Sequence, residues 1–157
     1  MKNSTNNIGF DLRIHFLDNQ QLRFSNSKIS IVSESENQFF VLDPNSVASY
    51  EKNLIEIENL KTKNKKYVFL KNCNVLVSDN NIWVNSSNKK NLYEKTNKKI
   101  NNKEKIKTLS KELAEFNLMQ KIGIDFEDFL KISEIEYQIY KEQMKELFKL
   151  EEFEHEK

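Results

Sequence analysis

Glycine and proline are almost missing: the 157 residues contain two Gly and one Pro. Phosphate-cradling loops need several closely spaced glycines, because only a residue without Cβ lets the backbone approach that near. Gly9 and Gly123 stand far apart, so no such loop is expected and the common nucleotide enzymes are excluded. The single cysteine, Cys73, excludes an internal disulfide framework and a cysteine-rich zinc site. No run approaches the ~18 apolar residues of a membrane span. The opening Met1-Lys2-Asn3-Ser4-Thr5 is too polar for a signal peptide, so a cytoplasmic protein is expected. A net charge of +1 leaves no bulk field to steer the chain to a polyanion.

What is present suffices for a core. Hydrophobic residues make up 38% of the chain, and 11 Phe and 5 Tyr add bulk that a disordered segment would lack. Lys outnumbers Arg 23 to 2, and there are 21 Asn. That bias reads as the codon usage of an AT-rich genome, so abundant Lys or Asn says little about function.

From residue 10 to about 85 the apolar pattern has period two. Phe10, Leu12, Ile14 and Phe16 alternate with Asp11, Arg13 and His15, which predicts a strand with one buried face. Further strands are predicted at Leu22–Phe24, Ile29–Val32, Phe39–Leu42, Leu54–Ile57, Tyr67–Leu70, Val75–Val77 and Ile82–Val84, with Val47–Tyr50 weaker. Asp18-Asn19-Gln20, Asp43-Pro44-Asn45-Ser46 and Asp79-Asn80-Asn81 supply turns, because Asp and Asn tolerate positive φ and Pro presets it. Eight or so short strands at this spacing predict an antiparallel β-sandwich or flattened barrel.

Residues 88 to 107 then hold eight Lys against two Glu, and a solvated linker is expected there. From 108 onward seven Lys face thirteen acids. Ile106, Leu109, Leu113 and Phe116 fall at helical spacing, Gly123 interrupts, and Asp125 with Asp128 reads as an imperfect capping box opening a second helix over about 126–153. The fold class is therefore α+β: a β-sandwich domain at 8–87, a basic linker at 88–102 and an antiparallel two-helix hairpin at 103–155.

The second helix carries two apolar rows. Phe126, Phe129, Leu130, Tyr137, Tyr140, Met144, Leu147 and Phe148 gather on one side, and Ile132, Ile135, Ile139, Leu150 and Phe153 on nearly the opposite side. A single partner helix can cover one row. Leaving the other wet forgoes ~1.5–3 kcal/mol per side chain, so it needs the β-domain or another protein.

Chemical sites are thin. His15 and His155 lie on a strand's polar face and near a terminus, without companion ligands for a metal. Cys73 has no flanking signature of a nucleophile. Asp125, Glu127 and Asp128 are accounted for by the positive end of a helix dipole. Trp83 reads as core or interface. The lysine-rich stretch has only Tyr93 to interleave, so a solvated connector is favoured over a nucleic-acid contact. No catalytic residue, cofactor or metal is expected.

The order of motifs resembles the epsilon subunit of F-type ATPases over roughly residues 10 to 155. That family opens with L-x-I-x-x-P-x-G-x-x-F; here Leu12-Arg13-Ile14-His15-Phe16-Leu17-Asp18-Asn19 leads to Leu22 and Phe24. Its V-x-V-P strand looks like Ile29-Ser30-Ile31-Val32, and its G-x-F-x-V-L-P-G-H-A-P-L stretch looks like Asn37 to Val47. Tyr67-Val68-Phe69-Leu70, Val75-Leu76-Val77 and Ile82-Trp83-Val84 follow in the family's order. The chain departs at Asp43-Pro44-Asn45, which replaces P-G-H, and at Asn72-Cys73, which replaces a Gly-Gly pair. The family's ATP-binding I-D-x-x-R-A is not present around Asn102 to Ile106, so no nucleotide site is expected.

The resemblance implies a non-catalytic central-stalk subunit of an F1-like rotary ATPase. It implies binding to a gamma-like rotor subunit and to alpha- and beta-like subunits, with restraint of rotation as a role. It also implies a complex at the inner face of the cell membrane, contacted only through partners, and no nucleic acid. Glycine loss with AT bias suits a wall-less bacterium (mollicute), a group with extra F1-like gene sets, one of which drives gliding. Phe39, Phe40, Val47 and Tyr50 on the β-domain and Ile132, Ile135 and Ile139 on the helix are the expected partner-binding residues. The alternative is a free-standing adaptor that dimerises or binds a partner through its hairpin.

Overall fold

The computed structural model describes residues 9–33, 35–120, 123 and 125–153. His155 and the outermost ends of the expected domains lie outside them. The chain forms β1 (Phe10–His15), a short 3-10 turn (Leu17–Asn19), β2 (Gln21–Val32), β3 (Phe39–Val41), β4 (Val47–Asn59), β5 (Lys65–Ser78), β6 (Asn81–Asn85) and β7 (Tyr93–Lys95). Then come α1 (Lys103–Met119), α2 (Phe126–Phe148) and β8 (Leu150–Glu152). The α+β class read from the sequence is the class observed. Two compact units divide it: one runs to Glu94 and takes in Glu152 and Phe153, and the other is Lys95–Glu151.

In the first unit the sheet closes on itself. β1 pairs with β2 and β6, β6 with β5, β5 with β4, and β4 with β2, a five-membered ring. Its strands alternate in direction, so the first and fifth point the same way and the closing β1–β6 pair is parallel. The expected antiparallel β-sandwich is corrected to a barrel, because the parallel β1–β6 pair closes the sheet on itself. Leu12, Ile14, Ile29, Ile31, Ile55, Ile57, Val68, Leu70, Val75, Val77, Ile82 and Val84 fill its interior as one buried cluster. β3 adds to the side of β2, and β7 joins β5 through Tyr67 and Tyr93.

Closure requires long strands that bend, and asparagine supplies the bends. β5 is one 14-residue strand where the sequence suggested two. At Asn72, φ is 45°, and the inward-facing set changes there from Val68 and Leu70 to Cys73, Val75 and Val77. Among described residues seven Asn or Asp have positive φ: Asp18, Asn19, Asn26, Asn37, Asn45, Asn72 and Asp79. Their side chains make the left-handed region tolerable, so this glycine-poor chain bends at asparagine instead. Gly9 is not replaceable in that way. A Cβ there would lie 2.6 Å from the backbone of Asn26, at the irregularity between β1 and β2.

The expected linker is part of the structure. Leu92 and Tyr93 are buried, and the Asn88 and Asn91 side-chain amides both donate to the Phe69 carbonyl. Tyr93 meets the Phe69 ring edge-on with centroids 5.2 Å apart. β5 is thereby covered on its outer face as well, which buries Tyr67 and Phe69 alongside the inward Val68 and Leu70.

In the second unit Asp125 caps α2 by accepting from the Asp128 amide at 2.9 Å, as the sequence suggested. Asn102, at the start of α1, donates from its side chain to the Glu142 carbonyl and from its backbone to the Glu146 carboxylate. The start of α1 thus sits at the end of α2, and the helices are antiparallel. α2 stops five residues earlier than expected: Lys149 turns left-handed, and β8 follows. Among the described residues no helix is long and apolar enough to cross a membrane.

Candidate interaction surface

The residues expected to bind partners separate into three groups. Ile132 and Ile135 are buried, and Ile139 is half-buried, so this row is not offered at the surface. The choice of row for partner binding is corrected: the open apolar residues of α2 are Phe126, Phe129, Leu130 and Leu147, all from the opposite row. Tyr50 packs half-buried against the barrel core, and Phe39 is half-buried with its ring 5.9 Å from that of Tyr67. Phe40 and Val47 are exposed, Val47 at 75%.

Val47 is the end of a longer feature. It pairs across the sheet with Leu76, Leu76 with Trp83, Trp83 with Arg13, and Arg13 with Arg23. Directly paired residues share a face, so the five side chains form one row across all five barrel strands, outside the ring. At ~4.8 Å per strand the row is roughly 19 Å long. Leu76 is 43% exposed and Trp83 36%. The neighbouring row on this face, Ser49, Asn74, Asn85, His15 and Gln21, is polar throughout.

Arg13, Arg23 and Leu76 are not among the residues expected to bind partners, and Trp83 is expected only as core or interface. Alternation marks 13, 23 and 83 as outward positions, but only the register sets them side by side. One signal was available: these are the only two arginines in a chain of 23 lysines. Arginine is the basic residue whose planar fork and stacking suit interfaces, and Trp and Arg dominate interface hot spots. Neither arginine has an ion-pair partner among the described residues.

Pockets for chemistry are weaker. A cleft of about 170 Å³ at one end of the barrel is lined by Phe10, Ile29, Leu42, Val77 and Ile82, with Lys28 as its only titratable residue. It is apolar and lacks convergent polar groups to orient a substrate. Among the described residues no three His, Cys, Asp or Glu side chains gather as metal ligands. Cys73 is buried, and that burial pushes its thiol up to about 11, so it stays un-ionised at neutral pH. Burial likewise raises the Tyr67 hydroxyl, which donates to Glu56 at 2.8 Å.

Comparison with known proteins matches both halves of the chain to one family. The UU051 N-terminal domain model covers residues 11–91, and the model described as the uncharacterised protein UU051 C-terminal domain covers 103–153. The uncharacterized protein UU051 of Ureaplasma parvum serovar 3 is 26% identical over 140 residues, spanning 85% of this chain and 82% of the relative.

Proposed function

The chain belongs to the UU051 family, whose N-terminal model alone spans residues 11–91, and from that premise we propose that it is a non-catalytic docking subunit of an F1-like rotary ATPase. In this reading the barrel grips a gamma-like rotor subunit through the outer row Val47–Leu76–Trp83–Arg13–Arg23. The observation that carries it is that row: three adjoining apolar side chains, open to water, beside Arg13 and Arg23 and next to a wholly polar row. Contiguous apolar surface of that kind marks a binding site, because each wet side chain forgoes burial energy.

The rotary assignment rests on the resemblance in order: a β-domain, then an antiparallel helical hairpin, with epsilon-like motifs along the strands. Phe40 and Val47 stay in the proposed interface. Tyr50 and Phe39 are half-buried and, with Ile132, Ile135 and Ile139, drop out of it.

The test is affinity purification of the tagged protein from its own cells. Gamma-like and alpha- and beta-like subunits should accompany the wild type in stoichiometric amounts and be lost from a Leu76→Asp, Trp83→Asp variant that still folds. Recovery of the protein without any of these subunits would refute the assignment. Recovery unaffected by the variant would refute the row.

A further inference from the structure

The row on the barrel has a counterpart elsewhere on the same chain. Where α1 ends and α2 begins, five large apolar side chains stand in water: Leu118 at 64% exposed, Met119 at 60%, Phe126 at 73%, Phe129 at 57% and Leu130 at 50%. The antiparallel arrangement puts the end of α1 beside the start of α2, so the five share one end of the hairpin. At ~150–250 Å² for a large aromatic, and less for Leu and Met, they expose roughly 500 Å². That is near the upper limit of a typical monomer's largest patch.

Its border is acidic. Glu115 is one helical turn before Leu118 and Met119, and Glu127 is three residues before Leu130, spacings that put each on the same side as its apolar neighbour. Asp125 and Asp128 stand at the same helix start, and Lys131 is a nearby cation. The barrel row is the reverse: apolar from Val47 to Trp83, then Arg13 and Arg23 without ion-pair partners among the described residues, with Asp11 one outward position away. Dimensions also agree. Two packed helices, 8–10 Å between axes and ~10 Å thick, present about 20 Å, and the row is roughly 19 Å long.

We propose that the hairpin tip of one copy docks on the barrel row of a second copy of this chain, so that the free protein self-associates. Leu118, Met119, Phe126, Phe129 and Leu130 would cover Leu76, Trp83 and Val47, while Glu115 and Glu127 face Arg13 and Arg23. Opposed charges set the register, and the apolar contact supplies the affinity. The contact does not depend on the rotary assignment.

Sedimentation velocity over about a hundredfold concentration range tests it. The wild type should rise above the mass of one chain. The variant Arg13→Glu, Arg23→Glu has acidic row and acidic tip, and should associate about tenfold or more weakly. The variant Glu115→Lys, Glu127→Lys has basic row and basic tip, and should weaken equally. An equimolar mixture of the two makes every row–tip pair between unlike variants complementary, and should return to within about threefold of the wild type. Far-UV circular dichroism establishes that each variant folds. Should either charge variant not fold, Phe126→Ser, Phe129→Ser removes the apolar half of the contact at exposed positions and should abolish association. A wild type that stays monomeric throughout, association indifferent to the reversals or to the serine pair, or a mixture that regains nothing overturns the proposal.

Discussion

Asn53 is 1% exposed and faces into the protein from β4, where its side chain stands in for a missing strand. Its Nδ2 donates to the Val32 carbonyl and its Oδ1 accepts from the Val32 amide, both at 3.3 Å. β4 pairs with β2 only as far as Ile31, so at Val32 the ladder has already opened and the amide side chain closes it. Replacing Asn53 by Ala removes both bonds and leaves a buried N–H and a buried C=O without partners. Each orphaned group costs about 1–3 kcal/mol, and two long bonds place the sum at about 2–4 kcal/mol. For a chain of this size that lowers Tm by roughly 5–12 °C. Trp83 is the only tryptophan and lies in the barrel, so its fluorescence during urea unfolding reports this unit. Asn53→Asp sharpens the test. At neutral pH a carboxylate still accepts from the Val32 amide but opposes the Val32 carbonyl oxygen, so the variant is less stable than wild type. Burial raises the carboxyl's folded pKa above its unfolded ~3.9, so the folded state binds the proton more readily as pH falls. The protonated group then donates to the carbonyl, and the deficit should shrink between neutral pH and about pH 4–5. A loss below about 0.5 kcal/mol for Asn53→Ala, or a deficit for Asn53→Asp that ignores pH, would refute this account.

Two further outcomes follow from buried groups and close backbone contact. With its thiol pushed up to about 11 from an ordinary 9.0, Cys73 should resist a disulfide reagent at pH 8 until urea exposes it. Because its folded pKa is the higher, its contribution is complete below pH 9 and is lost as pH rises from 9 to 11. Stability should fall across that window by roughly 2–3 kcal/mol, read by urea melts at stepped pH, and prompt labelling of the native protein would refute the burial. Gly9→Ala should destabilise the barrel by about 1–3 kcal/mol, since its Cβ would meet the Asn26 backbone at 2.6 Å; an unchanged thermal midpoint would show that β1 and β2 separate freely there.

Features that depend on near neighbours are legible along the chain. Alternation placed β1 and β6, because a two-residue period is a property of each strand alone, but it broke the continuous β2 into two pieces. The turns at Asp18-Asn19 and Asp79 and the Asp125 cap were legible for the same reason: side-chain oxygens and tolerance of positive φ act within three residues. Which strands lie side by side is set by packing across the barrel. Arg13, Arg23, Val47, Leu76 and Trp83 are scattered over 71 positions of chain, and their single row follows from register, which strand-by-strand patterns do not encode. The same limit hid the burial of Ile132 and Ile135, the ordering of Leu92 and Tyr93 and the role of Asn53. A polar or apolar side chain declares its chemistry in the sequence, but its partner is chosen by packing.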